Sequence, residues 1–157
     1  QDTLDVAGHA YMDHTYQTDL APDLVGAGFR YVTQTAPLEA GYLLAPVGRY
    51  DSQPVGYGLR YAGGAFTLLK PASLKVTASA KAMGARIPTV LEIQYQDGSK
   101  AVLQRGQDRL QQSTLHEFSG FAKMAIKSFM GGEILTFKGL GTLNGSQPMA
   151  YNYFSVE

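Results

Sequence analysis

Alternation of apolar and polar residues is clearest between Ile87 and Leu143. Leu91, Ile93 and Tyr95 alternate with Glu92, Gln94 and Gln96, the period of two that gives a strand one buried and one wet face. Asp97-Gly98-Ser99-Lys100 follows, a tight-turn sequence in which glycine takes positive φ without steric cost. A β-hairpin is therefore expected here, with a short return strand at 101–104. A second hairpin is expected at Gly131-Gly132, with Met124 and Ile126 before it and Leu135 and Phe137 after it. Between the two, 105–117 is the best helix candidate, yet Leu110 and Leu115 form no stripe at 3.6 spacing. That linker reads as mostly loop with one turn at most.

The flanking segments carry weaker patterns. Leu74, Val76 and Ala78 alternate with Lys75, Thr77 and Ser79, so 73–80 is expected to be a half-buried strand, and 80–86 a helical turn ended by Gly84. Residues 66–69 resemble a strand, and 151–156 a closing one. In 24–65 glycine recurs, and Pro37, Pro46 and Pro54 divide the short strand candidates 29–34, 42–45 and 57–61. Proline is confined mainly to edges and turns, so bends and loops rather than a central sheet are expected there. Residues 1–23 are polar, with Val6, Ala10 and Met12 hinting at a strand and Ala21-Pro22-Asp23 marking a turn. Phe29-Arg30-Tyr31, Gly48-Arg49-Tyr50 and Leu59-Arg60-Tyr61 each set Arg beside Tyr. Strand neighbours point to opposite faces, so the expectation is Tyr in the core and Arg in water.

Composition narrows the function. The 157 residues suit one domain, 1–157, with a real core. Only 17% are charged, against eighteen glycines and ten tyrosines, which favours short strands and turns over helices. Thirteen basic residues balance thirteen acidic ones, so no bulk field draws the chain to nucleic acid. The absence of cysteine removes disulfides, thiolate metal sites and a cysteine nucleophile together. No apolar run reaches the roughly twenty residues of a spanning helix. The start at Gln1 fits either a form from which a leader has been removed or a sequence trimmed at that point, and low charge with much Thr, Ser, Gln and Tyr points to export: periplasm, medium or cell surface.

Catalytic constellations are not legible. His9, Asp13, His14 and Asp19 lie close in sequence, but on a strand His14 points away from His9 and Asp13, and zinc requires three or four convergent ligands. His116-Glu117 sits in the linker and is expected to face water. No Gly-x-Ser-x-Gly elbow occurs, and Ser119-Gly120 is too generic to count. Glu92 and Glu133 sit on predicted polar faces and read as solvated rather than as a glycosidase pair. Gly63-Gly64 and Gly139-x-Gly141 lack the context of a phosphate loop and read as turns or bulges. No catalytic or metal-ligating residue is assigned and no cofactor is expected; calcium alone is left open.

Flat aromatics beside polar groups are the remaining signal. Tyr42, Tyr50, Tyr57 and Tyr61 accompany Arg49, Asp51 and Arg60, and tyrosine offers large, stiff contact area at little entropic cost. A sugar ring presents an apolar face edged by hydroxyls, which such residues suit. Tyr42, Arg49, Tyr50, Asp51, Tyr57, Arg60 and Tyr61 are therefore the candidate ligand-binding set. The run from Phe66-Thr-Leu-Leu-Lys through Leu91-Glu-Ile-Gln-Tyr-Gln-Asp-Gly-Ser-Lys to Met124-Ala-Ile-Lys-Ser-Phe resembles galactose-binding-like and carbohydrate-binding-module jelly rolls over about half of the chain. Where those modules carry an aspartate after the late hairpin, Lys138-Gly-Leu-Gly stands here, so no binding residue is carried over.

The expectation is an all-β domain, a two-sheet antiparallel jelly-roll sandwich with at most one short helix. Its expected role is non-catalytic recognition of a glycan or a protein through Tyr-rich loops. A second reading is a structural subunit of a surface, fibre or secretion assembly that self-associates through strand edges. A small polysaccharide-active enzyme ranks below these, and an outer-membrane barrel last.

Overall fold

The computed structural model describes residues 25–46, 54–129 and 131–157. Among them are nine strands: β1 (Val25–Thr33), β2 (Leu38–Pro46), β3 (Val55–Ala62), β4 (Ala65–Leu69), β5 (Pro71–Ala82), β6 (Ala85–Tyr95), β7 (Lys100–Ser113), β8 (Ile134–Leu143) and β9 (Gln147–Val156). One helix, α1 (Gly120–Phe129), lies between β7 and β8. The strands form one antiparallel sheet in the order β4-β3-β2-β1-β9-β8-β7-β6-β5. The chain is a meander whose last strand returns beside its first.

The two ends of that order, β4 and β5, are separated in the chain by Lys70 alone. Consecutive Cα atoms are about 3.8 Å apart, so a flat sheet of nine strands cannot make this connection. The sheet must curl until the Leu69 end of β4 reaches the Pro71 end of β5. Gln96 N donates to Lys70 O at 2.9 Å, extending the β5–β6 pairing to the corner, and the hydroxyls of Tyr31 on β1 and Tyr95 on β6 lie 3.0 Å apart through the interior. The all-β expectation holds, with one short helix. The two packed jelly-roll sheets do not form: one curled sheet wraps its own core, because successive strands are sheet neighbours and the β4–β5 passage links one end of each edge strand.

Phe29, Tyr31, Leu43, Ile87, Leu91, Ile93, Tyr95, Leu103, Phe137, Leu143, Met149, Tyr151 and Tyr153 are buried in that core. The cavity between Ala27, Phe29, Leu43, Leu74, Leu91 and Tyr153 measures only ≈ 10 Å³, room for about one water. Glycine and aromatic residues meet across strands: Gly41 pairs with Tyr31, Gly28 with Phe154 and Gly139 with Tyr151. A Cβ on any of the three would collide with the facing ring or hydroxyl. The abundance of both residue types thus has one cause, rings lying over bare backbone in a strongly bent sheet.

The Asp97-Gly98 hairpin forms as expected, with Gly98 at φ 85 and Asp97 accepting from Ser99 N at 2.8 Å. Strands at 29–34, 42–45, 57–61, 66–69, 73–80 and 151–156 are also present within longer elements. Four expectations are corrected. The described part of segment 24–65, residues 25–46 and 54–65, is no loop region, since β1 is the fourth of the nine described strands and pairs on both sides. Residues 80–86 form the β5–β6 hairpin turn over Met83-Gly84, both with positive φ. The 105–117 linker is mostly the continuation of β7 to Ser113. No hairpin forms at Gly131-Gly132, because 120–129 is helical. Lys123 and Lys127, four residues apart, share a helix face and both approach Glu133, at 2.7 and 3.9 Å.

Candidate functional site

Strand register decides which tyrosines share a surface. Leu38, Ala40 and Tyr42 on β2 pair with Tyr61, Leu59 and Tyr57 on β3, and Leu59 and Tyr61 pair with Leu68 and Phe66 on β4. The intervening residues Glu39, Gly41, Leu43, Gly58 and Leu69 turn inward, the last three buried in or against the core. Alternation therefore forces the first set onto the outer face.

That face carries Val55 at 66%, Phe66 at 74% and Leu68 at 55% exposure, beside part-exposed Tyr57 and Tyr61. The Tyr61 and Phe66 rings lie 4.8 Å apart at 43°, within the range of a favourable aromatic pair. At its inner margin the Arg30 guanidinium sits 4.5 Å from the Tyr42 ring centroid, a cation–π contact. At the other margin an open cleft of ≈ 450 Å³ is lined by Pro54, Val55, Gly56, Tyr57, Leu68, Lys70, Pro71 and Gln96. The surface is an apolar, aromatic plate with a polar rim of Arg30, Lys70 and Gln96.

Of the candidate residues, Tyr42, Tyr57 and Tyr61 are brought together, on strands rather than loops. Arg60 is turned away. Its Nε donates to Glu39 Oε2 at 2.9 Å on the inner side, so the Arg60–Tyr61 pair reverses the expected placing while Arg30–Tyr31 obeys it. Arg49, Tyr50 and Asp51 lie outside the described residues, as do His9, Asp13, His14 and Asp19. Val55, Phe66, Leu68 and Lys70 were not singled out. Their signal was available: across the Gly63-Gly64 turn, Phe66 and Leu68 continue the same alternating face as Tyr57, Leu59 and Tyr61.

Two networks join many of the buried polar groups, although Arg105 Nε is buried without a hydrogen-bond partner. Glu39 accepts from Arg60 and from the Tyr31 hydroxyl at 2.7 Å, and Tyr31 meets Tyr95. Burial first, then the neighbouring Tyr95 and Glu39, hold the Tyr31 phenol well above its usual range. Burial pushes Tyr95 to about 12. Asp108 accepts both Arg105 Nη2 contacts, at 2.9 and 3.1 Å, together with Gln111 and the Tyr151 hydroxyl. Burial raises its carboxyl, but the Tyr151 and Arg105 hydrogen bonds outweigh this and leave it below the ordinary value. Burial and Asp108 push Tyr151 to about 12.

Glu133 is no solvated acid, in contrast to exposed Glu92. It accepts from Ser113, and from Lys123 at 2.7 Å. Burial raises its carboxyl, but these bonds outweigh that and hold it below the carboxylate norm. His116 is largely exposed, with Nδ1 2.9 Å from Ser113 O. Among the described residues no group of three His, Asp or Glu converges as a metal site would, and no helix is long and apolar enough to cross a membrane.

Among the described residues, fold and surface together define a curled, nine-stranded antiparallel sheet with an aromatic plate on its outer wall. Comparison with protein-family models, curated proteins and solved structures returns no match.

Proposed function

We propose that this is a non-catalytic recognition domain whose ligand is a protein, bound by the outer face of β2–β4. The observation that carries the reading is the exposure of Val55, Phe66 and Leu68 beside Tyr57 and Tyr61, all on strands. A contiguous apolar patch with a polar rim is the usual composition of an interface core. Stiff aromatics held by strands lose little entropy on binding. The aliphatic members favour a protein ligand, since a sugar's hydroxyls need polar partners that this plate supplies only at its edge. A glycan is the second reading, favoured by the cleft where Tyr57 adjoins Lys70 and Gln96. The proposal includes export to the periplasm, medium or cell surface, supported by the low charge and the Thr, Ser, Gln and Tyr content.

The test is a binding panel of extracellular proteins, cell-wall polysaccharides and glycans, run with calcium and again with chelator. A protein hit that is lost in Phe66→Ser and Tyr57→Ala supports the reading. A glycan hit lost in Tyr57→Ala but kept in Phe66→Ser moves the site to the cleft. A hit indifferent to both substitutions removes the plate from the binding site.

A further inference from the structure

The two edges of the sheet are unequally protected. β5 carries Pro71 at its start, Lys75 and Lys81 along it, and three register shifts against β6. Proline, lysine and bulges are the devices by which natural sheets block edge-to-edge pairing. β4 has none of them. Its sequence is Ala-Phe-Thr-Leu-Leu, without charge or proline, and its first four residues are exposed. It pairs with β3 on one side, and among the described residues the sheet order ends there on the other. Unpaired backbone donors and acceptors on an uncharged, β-prone strand specify an extended strand as their complement.

We propose that this complement is β4 of a second copy, paired antiparallel about Thr67 in a closed two-fold dimer. The strand is self-complementary in that register. Thr67 faces Thr67, Phe66 faces Leu68 of the second copy, and Ala65 faces its Leu69, with no charge opposed to a like charge. An isologous contact closes after two subunits, and the guarded β5 edge offers no surface for further growth, so the product is a dimer and not a fibre. Edge pairing leaves the faces of the sheet open and sets two aromatic plates side by side. The inference rests on edge chemistry and stands independently of the ligand.

A ladder of five residues is a small interface, so the association belongs in the micromolar range or weaker. Sedimentation equilibrium from about 1 µM to about 1 mM covers that range. The expected result is a doubling of apparent mass with concentration for the wild type, and a monomer throughout for Thr67→Lys with an unchanged circular dichroism spectrum. The native chain has no cysteine, so an introduced thiol reports without background. Directly opposed strand residues are close enough for a disulfide, and Thr67→Cys should give a covalent dimer on mild oxidation where Thr77→Cys, on the guarded edge, does not. A wild type that stays monomeric, a dimer that survives Thr67→Lys, or equal cross-linking at both positions overturns the proposal. Ligand binding enters none of these readouts, so they cannot be confused with failure of the recognition reading.

Discussion

Glu39 is the residue whose surroundings show most plainly how this sheet uses polar groups inside. Its backbone N donates to Thr33 Oγ1 at 2.7 Å, while its carboxylate holds Tyr31 and Arg60. The glycines opposite, Gly41 and Gly58, are cross-strand partners that leave room for the Tyr31 ring and the Tyr95 hydroxyl. Truncating Glu39 to Ala strands a guanidinium and a phenol together. Because leaving buried polar partners unpaired is costly, we expect Glu39→Ala to lower unfolding free energy by about 2–4 kcal/mol in urea titrations, and Glu39→Gln by less. Equal stability of wild type and Glu39→Ala would show the network to be dispensable.

At the scale of elements, the legible parts were those with unbroken alternation. Leu91 to Tyr95 announced β6, and Asp97-Gly98 its turn, because nothing interrupts the inward set. β7 was illegible past Gln104 for a specific reason. Its inward side chains there are Arg105 and Asp108, and two register shifts opposite Gly139 and Gly141 break the period. Arg105 is taken up by the Phe137 ring at 4.8 Å and by Pro88 O at 2.7 Å, partners that no local pattern reveals. α1 was misread because Ala-Lys-Met-Ala-Ile-Lys fits either period, and the arbiter, Glu133, lies beyond the following turn. The plate is half legible: the tyrosines stand out, and alternation across Gly63-Gly64 carries their face on to Phe66 and Leu68, but only the structure shows that Arg60 turns inward to Glu39. Since Glu133 ties α1 down through Lys123, Glu133→Gln should raise amide exchange across 120–129 while leaving β8 and β9 protected. Exchange in α1 that matches the wild type would mean that the ion pair does not hold the helix.

The whole molecule combines a closed interior with an apolar outer wall on one side. Its interior phenols give the fold a characteristic response to base. Tyr95 and Tyr151 lie near 12 when folded against an ordinary value of 10, and Tyr31 also lies well above it. A raised folded value means that the neutral form is favoured by folding. That stability is fully present below pH 10 and is lost as pH rises from about 10 towards about 12. Denaturant midpoints should therefore fall across this window, less so in Tyr95→Phe. Ultraviolet titration in which all tyrosines ionise near pH 10 in the folded state would contradict the burial of these hydroxyls. On the acid side the signs reverse. Asp108 and Glu133 sit below their ordinary values, so their contribution is present above the unfolded carboxylate range and is lost as pH falls through the lower folded values.

The outer wall is where function is assigned, and one comparison tests that assignment most directly: calorimetric affinity of the wild type and of Phe66→Ser for the first protein partner that the panel identifies. Phe66 is 74% exposed and its ring packs on Tyr61 at the surface, so its replacement should leave the thermal midpoint within about 2 °C of the wild type. The account predicts that affinity falls at least about tenfold, the loss typical of a central aromatic anchor. Unchanged affinity in a folded variant would contradict it, and the recognition surface would have to be sought elsewhere on the domain.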